Sequence, residues 1–214
     1  MKTIHTQIAL ALLLTCSYSK AQLNYNLCAK ASFGSSNAKT HIGKQKSNFS
    51  TGLGAEAYIK VKAQKISAIY INPSIEYNNV TYTGQLLNAI KDVRVKYINI
   101  AIPAIIVSNN KVFSYSGPSI HVGIGPYIAI ATSGKYNTIQ NDSYKAFKFG
   151  NATTDNRTLT DAGIRLKLGI STNKVVLSMA NDIGVANNYP AKSITNGQYT
   201  KLKNFMFQIS YRLR

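Results

Sequence analysis

The chain is 214 residues long, carries 25 lysines and arginines against 7 aspartates and glutamates, and has a formal net charge of +18 at pH 7. Its length fits a single domain, and its two cysteines exclude a disulfide framework and a cysteine-rich metal site. The basic balance invites a nucleic-acid reading, but no run of five or six basic residues occurs. The expected anionic partner is phosphate-bearing lipid at a membrane surface, and not nucleic acid.

Residues 1–21 read as a cleaved export signal. Lys2 supplies the positive start, Ile8 to Leu14 an unbroken apolar run, and Ser19-Lys20-Ala21 the small residues before a cut. The run is too short to cross a bilayer as a helix. A second reading makes Cys16 a lipid-bearing cysteine, although Thr15 is a poor residue before one. Cleavage after Ala21 leaves residues 22–214 as one domain with Cys28 as its single cysteine. It removes Lys2 and Lys20 and no acid, taking the formal charge from +18 to +16.

From there the chain alternates apolar and polar residues with a period of two, the signature of half-buried strands. In the first strand Leu23, Tyr25, Leu27, Ala29, Ala31 and Phe33 share one face, with Asn24, Asn26, Cys28, Lys30 and Ser32 on the other. The second, from about Phe49 to Ala63, sets Leu53, Ala55, Ala57, Ile59 and Val61 against Glu56, Tyr58, Lys60 and Lys62. After Gln64-Lys65 the third sets Ile69, Ile71, Ile75 and Tyr77 against Tyr70, Asn72, Ser74 and Glu76, with Pro73 marking a bulge. The fourth, near Val95 to Val107, opposes Ile98, Ile100, Ile102, Ala104 and Ile106 to Tyr97, Asn99 and Ala101.

Ser108 to Lys111 then predicts a tight turn into a fifth strand from Val112 to about Thr132, bulged at Gly117-Pro118. The sixth is the clearest: Ala162, Ile164, Leu166, Leu168 and Ile170 against Asp161, Gly163, Arg165, Lys167 and Gly169. Thr172-Asn173 leads into a seventh with Val175, Leu177, Met179, Ile183 and Val185 on the apolar face and Asp182 opposite. The eighth places Phe205, Phe207, Ile209, Tyr211 and Leu213 against Met206, Gln208, Ser210 and Arg212. A helical stripe is expected only at Leu86 to Val93, within a loop.

Connections after the second, fourth and sixth strands are short; those at Gly34–Asn48, Asn78–Asp92, Ser133–Leu159 and Ala186–Leu202 are long. Eight strands with alternating short turns and long loops predict an all-β, eight-stranded antiparallel up-and-down transmembrane β-barrel of the outer membrane. Alternation alone does not say which face is inside. Lys30, Glu56, Glu76, Arg165, Asp182 and Arg212 all lie on the polar face. Mixed charges fit a polar plug in an interior just wide enough to be filled by side chains. Aromatic residues near strand ends (Phe33, Phe49, Tyr77, Tyr97, Phe205 and Tyr211) fit membrane interfaces. A soluble lipocalin-like carrier, apolar face inward, is the alternative.

Two repeats carry a resemblance. Ile100-Ala101-Ile102-Pro103 with Tyr115-Ser116-Gly117-Pro118, and then Gly123-Ile124-Gly125-Pro126-Tyr127, resemble the centre of the PorT-like outer-membrane β-barrel family of Bacteroidota. Asp161-Ala162-Gly163 and the ending Gln208 to Leu213 are similar to its later strands, while the final Leu213-Arg214 departs from its aromatic end. The resemblance implies an integral outer-membrane barrel with no common enzymatic activity; separately, no cofactor is expected.

Candidate chemistry is sparse. Ser119 and His121 share a strand face and suggest a lipid-modifying enzyme if a carboxylate orients the histidine. The plainer reading is an interior polar network. His41 has no second histidine at metal-ligand spacing. Lys39, Lys44 and Lys46 in the first long loop, and Lys135, Lys145 and Lys148 in the third with Tyr136, Tyr144, Phe147 and Phe149, are the candidate binding residues. One reading has them contact lipopolysaccharide phosphates, or an unidentified protein or ligand at the loops; the other is a solvated basic surface.

Overall fold

The structure, a computed structural model, describes residues 25–40, 43–44, 46–83, 90–108, 111–114, 117–138, 141–150, 158–188 and 200–213. The export signal, Cys16 and His41 lie outside the described residues. Those described form β1 (Tyr25–Thr40), β2 (Gly43–Lys44), β3 (Lys46–Ala63), β4 (Ser67–Ile71), β5 (Ser74–Thr83), β6 (Ile90–Ala101), β7 (Ala104–Ser108), β8 (Ser119–Thr138), β9 (Asn141–Ala146), β10 (Thr160–Ser171), β11 (Val175–Gly184) and β12 (Thr200–Arg212). β4 and β5 make one stave, as do β6 and β7; β2 and β9 are short additions. Eight antiparallel staves thus follow one another in chain order. The ring closes where β1 pairs with β12, from Cys28 opposite Arg212 to Thr40 opposite Thr200. Closure leaves no stave with an open edge.

Pro73 produces the break that separates β4 from β5. Ala57 N–H donates to Pro73 O at 2.9 Å, but Pro73 has no N–H to return the bond. Asn72 Nδ2 donates to Ala57 O instead, at 2.8 Å. The second break, at Ile102-Pro103, lies beside the first, with Asn72 N–H donating to Pro103 O at 2.9 Å.

Three expectations need correction. The long loops are shorter than the hydropathy suggests: β1, β3 and β8 run for 16, 18 and 20 residues, beyond the roughly 9–11 that cross a bilayer. Backbone pairing needs no apolar side chain, so the ladder continues where the pattern turns polar. The fifth strand begins at Ser119, not Val112. Gly117 has φ +146°, which disfavours side-chain-bearing residues, and Val112 to Ser114 turn inward and are buried. The helix expected at Leu86 to Val93 does not form over 90–93, which belong to β6; residues 84–89 lie outside the described set.

The facing of the wall is inverted relative to a soluble barrel. Leu53, Ile106, Ile120, Val122, Ile124, Leu166, Leu177 and Phe207 are exposed, while Lys30, Glu56, Glu76, Arg165, Lys167 and Asp182 are buried in the lumen. Phe33, Phe49, Tyr77, Phe205 and Tyr211 face outward, but Tyr97 is buried inside. The lumen is layered. At the short-turn rim Cys28, Tyr58, Tyr70, Ile105, Val107, Val112, Phe113 and Val176 form an apolar cluster. A second cluster toward the long-loop rim joins Val80, Val93, Val95, Tyr97, Tyr127, Phe147 and Leu202. The charges lie between them.

Candidate functional site

Each inward position of the central lumen is supplied by strand alternation, and the side chains meet across the barrel. Arg165 on β10 holds Asp182 on β11 through two bonds, Nε to Oδ1 at 2.6 Å and a terminal nitrogen to Oδ2 at 2.7 Å. The two residues are directly opposite in the ladder, and the planar guanidinium matches the carboxylate fork. Asn99 Nδ2 donates to the same carboxylate at 3.0 Å, and Arg165 reaches Ser74 Oγ at 3.4 Å.

Lys167, two residues along β10, spans the lumen to Glu56 Oε2 at 2.6 Å and to Asn72 Oδ1 at 2.9 Å. Tyr58 O–H donates to Glu56 Oε1 at 2.7 Å. Asn72 therefore repairs the Pro73 break with its amide nitrogen and receives Lys167 with its oxygen. Lys30 pairs with Glu76 at 3.0 Å, and Ser32 O–H also donates to Glu76. Asp161 accepts from Tyr127 O–H at 2.9 Å and from Asn188 Nδ2 at 2.8 Å. Among the described residues three cations thus meet three carboxylates, and a fourth carboxylate, Asp161, accepts from Tyr127 and Asn188. Such pairing offsets much of the desolvation that an isolated buried charge would suffer.

Of the six lumen residues singled out from sequence, Lys30, Glu56, Glu76, Arg165 and Asp182 come together in this band. Arg212 does not. It is half-buried at the short-turn rim, with its guanidinium 5.3 Å from the centre of the Phe113 ring. Lys167, Tyr58, Asn72, Asn99 and Asp161 were missing from that set. The signal for Lys167 and Asp161 was present, since both share the inward period of Arg165. Phe113 also meets Tyr58 edge-on at 5.6 Å, and Ser171 O–H donates to Val112 O. The chain after β7 thereby closes this end of the lumen.

Ser119 and His121 both face inward and are buried. His121 lies opposite Gly169, where an added Cβ would sit 2.6 Å from the ring. The absent side chain gives the imidazole room against the wall, where Tyr58 meets it edge-on at 6.3 Å. No carboxylate bonds to either imidazole nitrogen among the described residues. The position is walled off from the bilayer. Among the described residues no group of three or more His, Cys, Asp and Glu side chains is placed to hold a metal.

The six candidate lysines occupy strands more than loops. Lys39, Lys44 and Lys46 belong to β1, β2 and β3, Lys135 to β8 and Lys145 to β9; Lys148 follows β9. They form two separate groups. On one side Tyr144 has Arg94 and Lys135 each 4.8 Å from its ring centre, a cation–π arrangement. Phe147, with half-buried Tyr136 and Phe149 packed against its cluster, caps the lumen instead of lining a surface site. On the other side Lys39 stands opposite Lys201 on β12 and opposite Lys44 on β2.

No protein-family model and no curated protein matches the chain. Among solved structures it is similar to Ail, the attachment invasion locus protein of Yersinia pestis, in complex with the heparin analogue sucrose octasulfate, at 9% identity and a TM-score of 0.43 over 88% of this chain and 99% of that one. It is similar to Neisserial surface protein A at 11% identity and TM-score 0.43, over 88% and 97% of the two chains. It is also similar to the outer membrane protein OprG from Pseudomonas aeruginosa at 11% identity and TM-score 0.40, over 89% and 95%.

Proposed function

We propose that this chain is an integral, non-enzymatic barrel of the outer membrane, closed to ion flow and acting through its long-loop rim. The inverted wall carries the reading. Large apolar side chains are exposed around the whole circumference at the height where charges are buried and paired inside. In water that exposed belt would be an extreme apolar patch; in a bilayer it is the expected lipid face. A lipocalin-like carrier needs an apolar cavity at the middle of the barrel, where this lumen is ionic.

The basic rim supports binding of outer-membrane lipid, including lipopolysaccharide phosphates, and leaves room for a protein or other ligand at the loops. Placement in the PorT-like family belongs to the same reading and rests on its motif residues. Ile102-Pro103 forms the second strand break, and Ile102 N–H donates to Pro126 O of the Gly125-Pro126 pair at 3.0 Å. Export through a cleaved segment at residues 1–21 completes the proposal.

Site-by-site cysteine labelling in a Cys28→Ser background tests the facing. Cysteines at Ile164, Leu166 and Leu168 should be quenched by lipid-borne probes, and those at Gly163, Arg165 and Lys167 should not. Recovery of the protein in the soluble periplasmic fraction without detergent, or the reverse quenching pattern, would end the membrane reading. Planar bilayers should show no uniform conductance steps.

A further inference from the structure

We infer that the wall formed by β1, β12, β11 and β10 is a specific site for one phosphorylated, multiply acylated lipid of the outer leaflet, headgroup on Lys39, Lys201 and Lys203 and an acyl chain in the groove below. The inference rests on the membrane reading above.

The first observation is a register conflict. Lys39 on β1 and Lys201 on β12 are directly opposite and exposed. Directly opposed residues bring their Cβ atoms within about 4.5–5.5 Å, and like charges there repel. Lys203 lies two residues along on the same face, opposite Asn37. Among the described residues, the acids that could relieve this repulsion are elsewhere. Glu56, Glu76, Asp161 and Asp182 are buried in the lumen, and Asp92 and Asp142 belong to β6 and β9 across the barrel. The equivalent pair Arg94 and Lys135 has the Tyr144 ring beside it.

The second observation is independent and lies on the same wall. An apolar groove of about 450 Å³ is lined by Phe33, Leu168, Leu177, Met179, Phe207 and Ile209 among others, all of them exposed on the outer face. Phe33 and Phe207, stacked at 5.7 Å, stand on the β1–β12 pair that carries the lysines. Phe207 is four residues below Lys203 on β12, a rise of roughly 13 Å. Anionic phosphate above and hydrocarbon below, in that order and on one strip of wall, is the chemistry of a membrane phospholipid or glycolipid. A free phosphate would leave the groove empty, and an uncharged lipid would leave the lysines unpaired.

The test uses the full-length exported protein purified in detergent, with lipid occupancy read by native mass spectrometry. The probes are a bis-phosphorylated, multiply acylated glucosamine disaccharide, the same lipid after enzymatic dephosphorylation, and inorganic pyrophosphate. The phosphorylated lipid should bind in preference to its dephosphorylated form. Lys39→Gln, Lys201→Gln and Lys203→Gln should each weaken it about fivefold. Met179→Trp, which fills the groove, should weaken the lipid without changing retention of pyrophosphate. Lys60→Gln, Lys62→Gln and Lys65→Gln at the opposite rim should change nothing. Equal binding of the two lipids, equal loss from the opposite-rim variants, or displacement by pyrophosphate at lipid-like concentrations would overturn the site. Heat-modifiable migration and membrane recovery of each variant separate this from failure of the barrel reading. An inserted barrel without lipid preference sinks the site alone, and a soluble protein sinks both.

Discussion

One residue step along β10 separates two very different surroundings. Arg165 and Lys167 point into the lumen, where each has a partner at 2.6 Å; Leu166 and Leu168 point out and are 40% and 44% exposed. The inner face is specific, because each buried charge depends on particular partners across the lumen. The outer face is generic, because any apolar side chain suits hydrocarbon and only polarity is forbidden. A soluble barrel reverses both conditions. The comparison therefore says which substitutions each face tolerates.

Breaking a pair on the inner face should have the largest effect. Asp182→Ala removes both charge-assisted bonds of the buried Arg165 and should cost about 3–5 kcal/mol, read as a lower urea midpoint for the refolded barrel. Replacing both partners, Arg165→Met with Asp182→Leu, should recover most of that loss. If the double variant is no better than the single one, the pair is not what matters at this site. On the outer face Leu166→Arg should cost roughly 2–4 kcal/mol near the midplane, while Leu166→Ile should leave the midpoint nearly unchanged. A Leu166→Arg barrel of normal stability would mean that this face does not meet lipid.

Smaller effects sharpen the contrast between the middle of the lumen and its ends. Phe113→Ala removes part of the apolar cap and should cost about 1–3 kcal/mol. Its more telling readout is Cys28, which is a buried thiol in the same cluster and should become reactive to maleimide. Smallest of these, Tyr127→Phe keeps the ring and removes one donor to Asp161, which retains Asn188. About 1.5 kcal/mol is expected, and a loss as large as that for Asp182→Ala would show that Asp161 is less well supported than its contacts imply.

The fold was legible where one face meets hydrocarbon. Ile164, Leu166, Leu168 and Ile170 could not be anything but a strand face, and the inward set followed by alternation. Beyond the belt the pattern carries no such information. Lys39 and Thr40 read as loop because nothing apolar marks a strand that is polar on both sides. Val112 and Phe113 read as strand because a plug entering the lumen is apolar for its own reasons. The ionic network was legible as a set of residues but not as pairs. Of the lysine row Lys39 was legible as a binding candidate, but its neighbours Lys201 and Lys203 were not, since Lys39 meets Lys201 only through ring closure.

Time is the remaining consequence of the layered lumen. Lys167 reaches Glu56 across 111 positions of sequence, and the seam between β1 and β12 joins the two ends of the described chain. The seam cannot exist before the last stave arrives, and contacts so distant in sequence form slowly. Until then an open sheet would present its charges to whatever solvent it meets, with hydrocarbon the worst choice. Assembly should therefore be late and nearly all-or-none: a barrel lacking β12 would keep its outer face and lose the order that makes its inner face habitable.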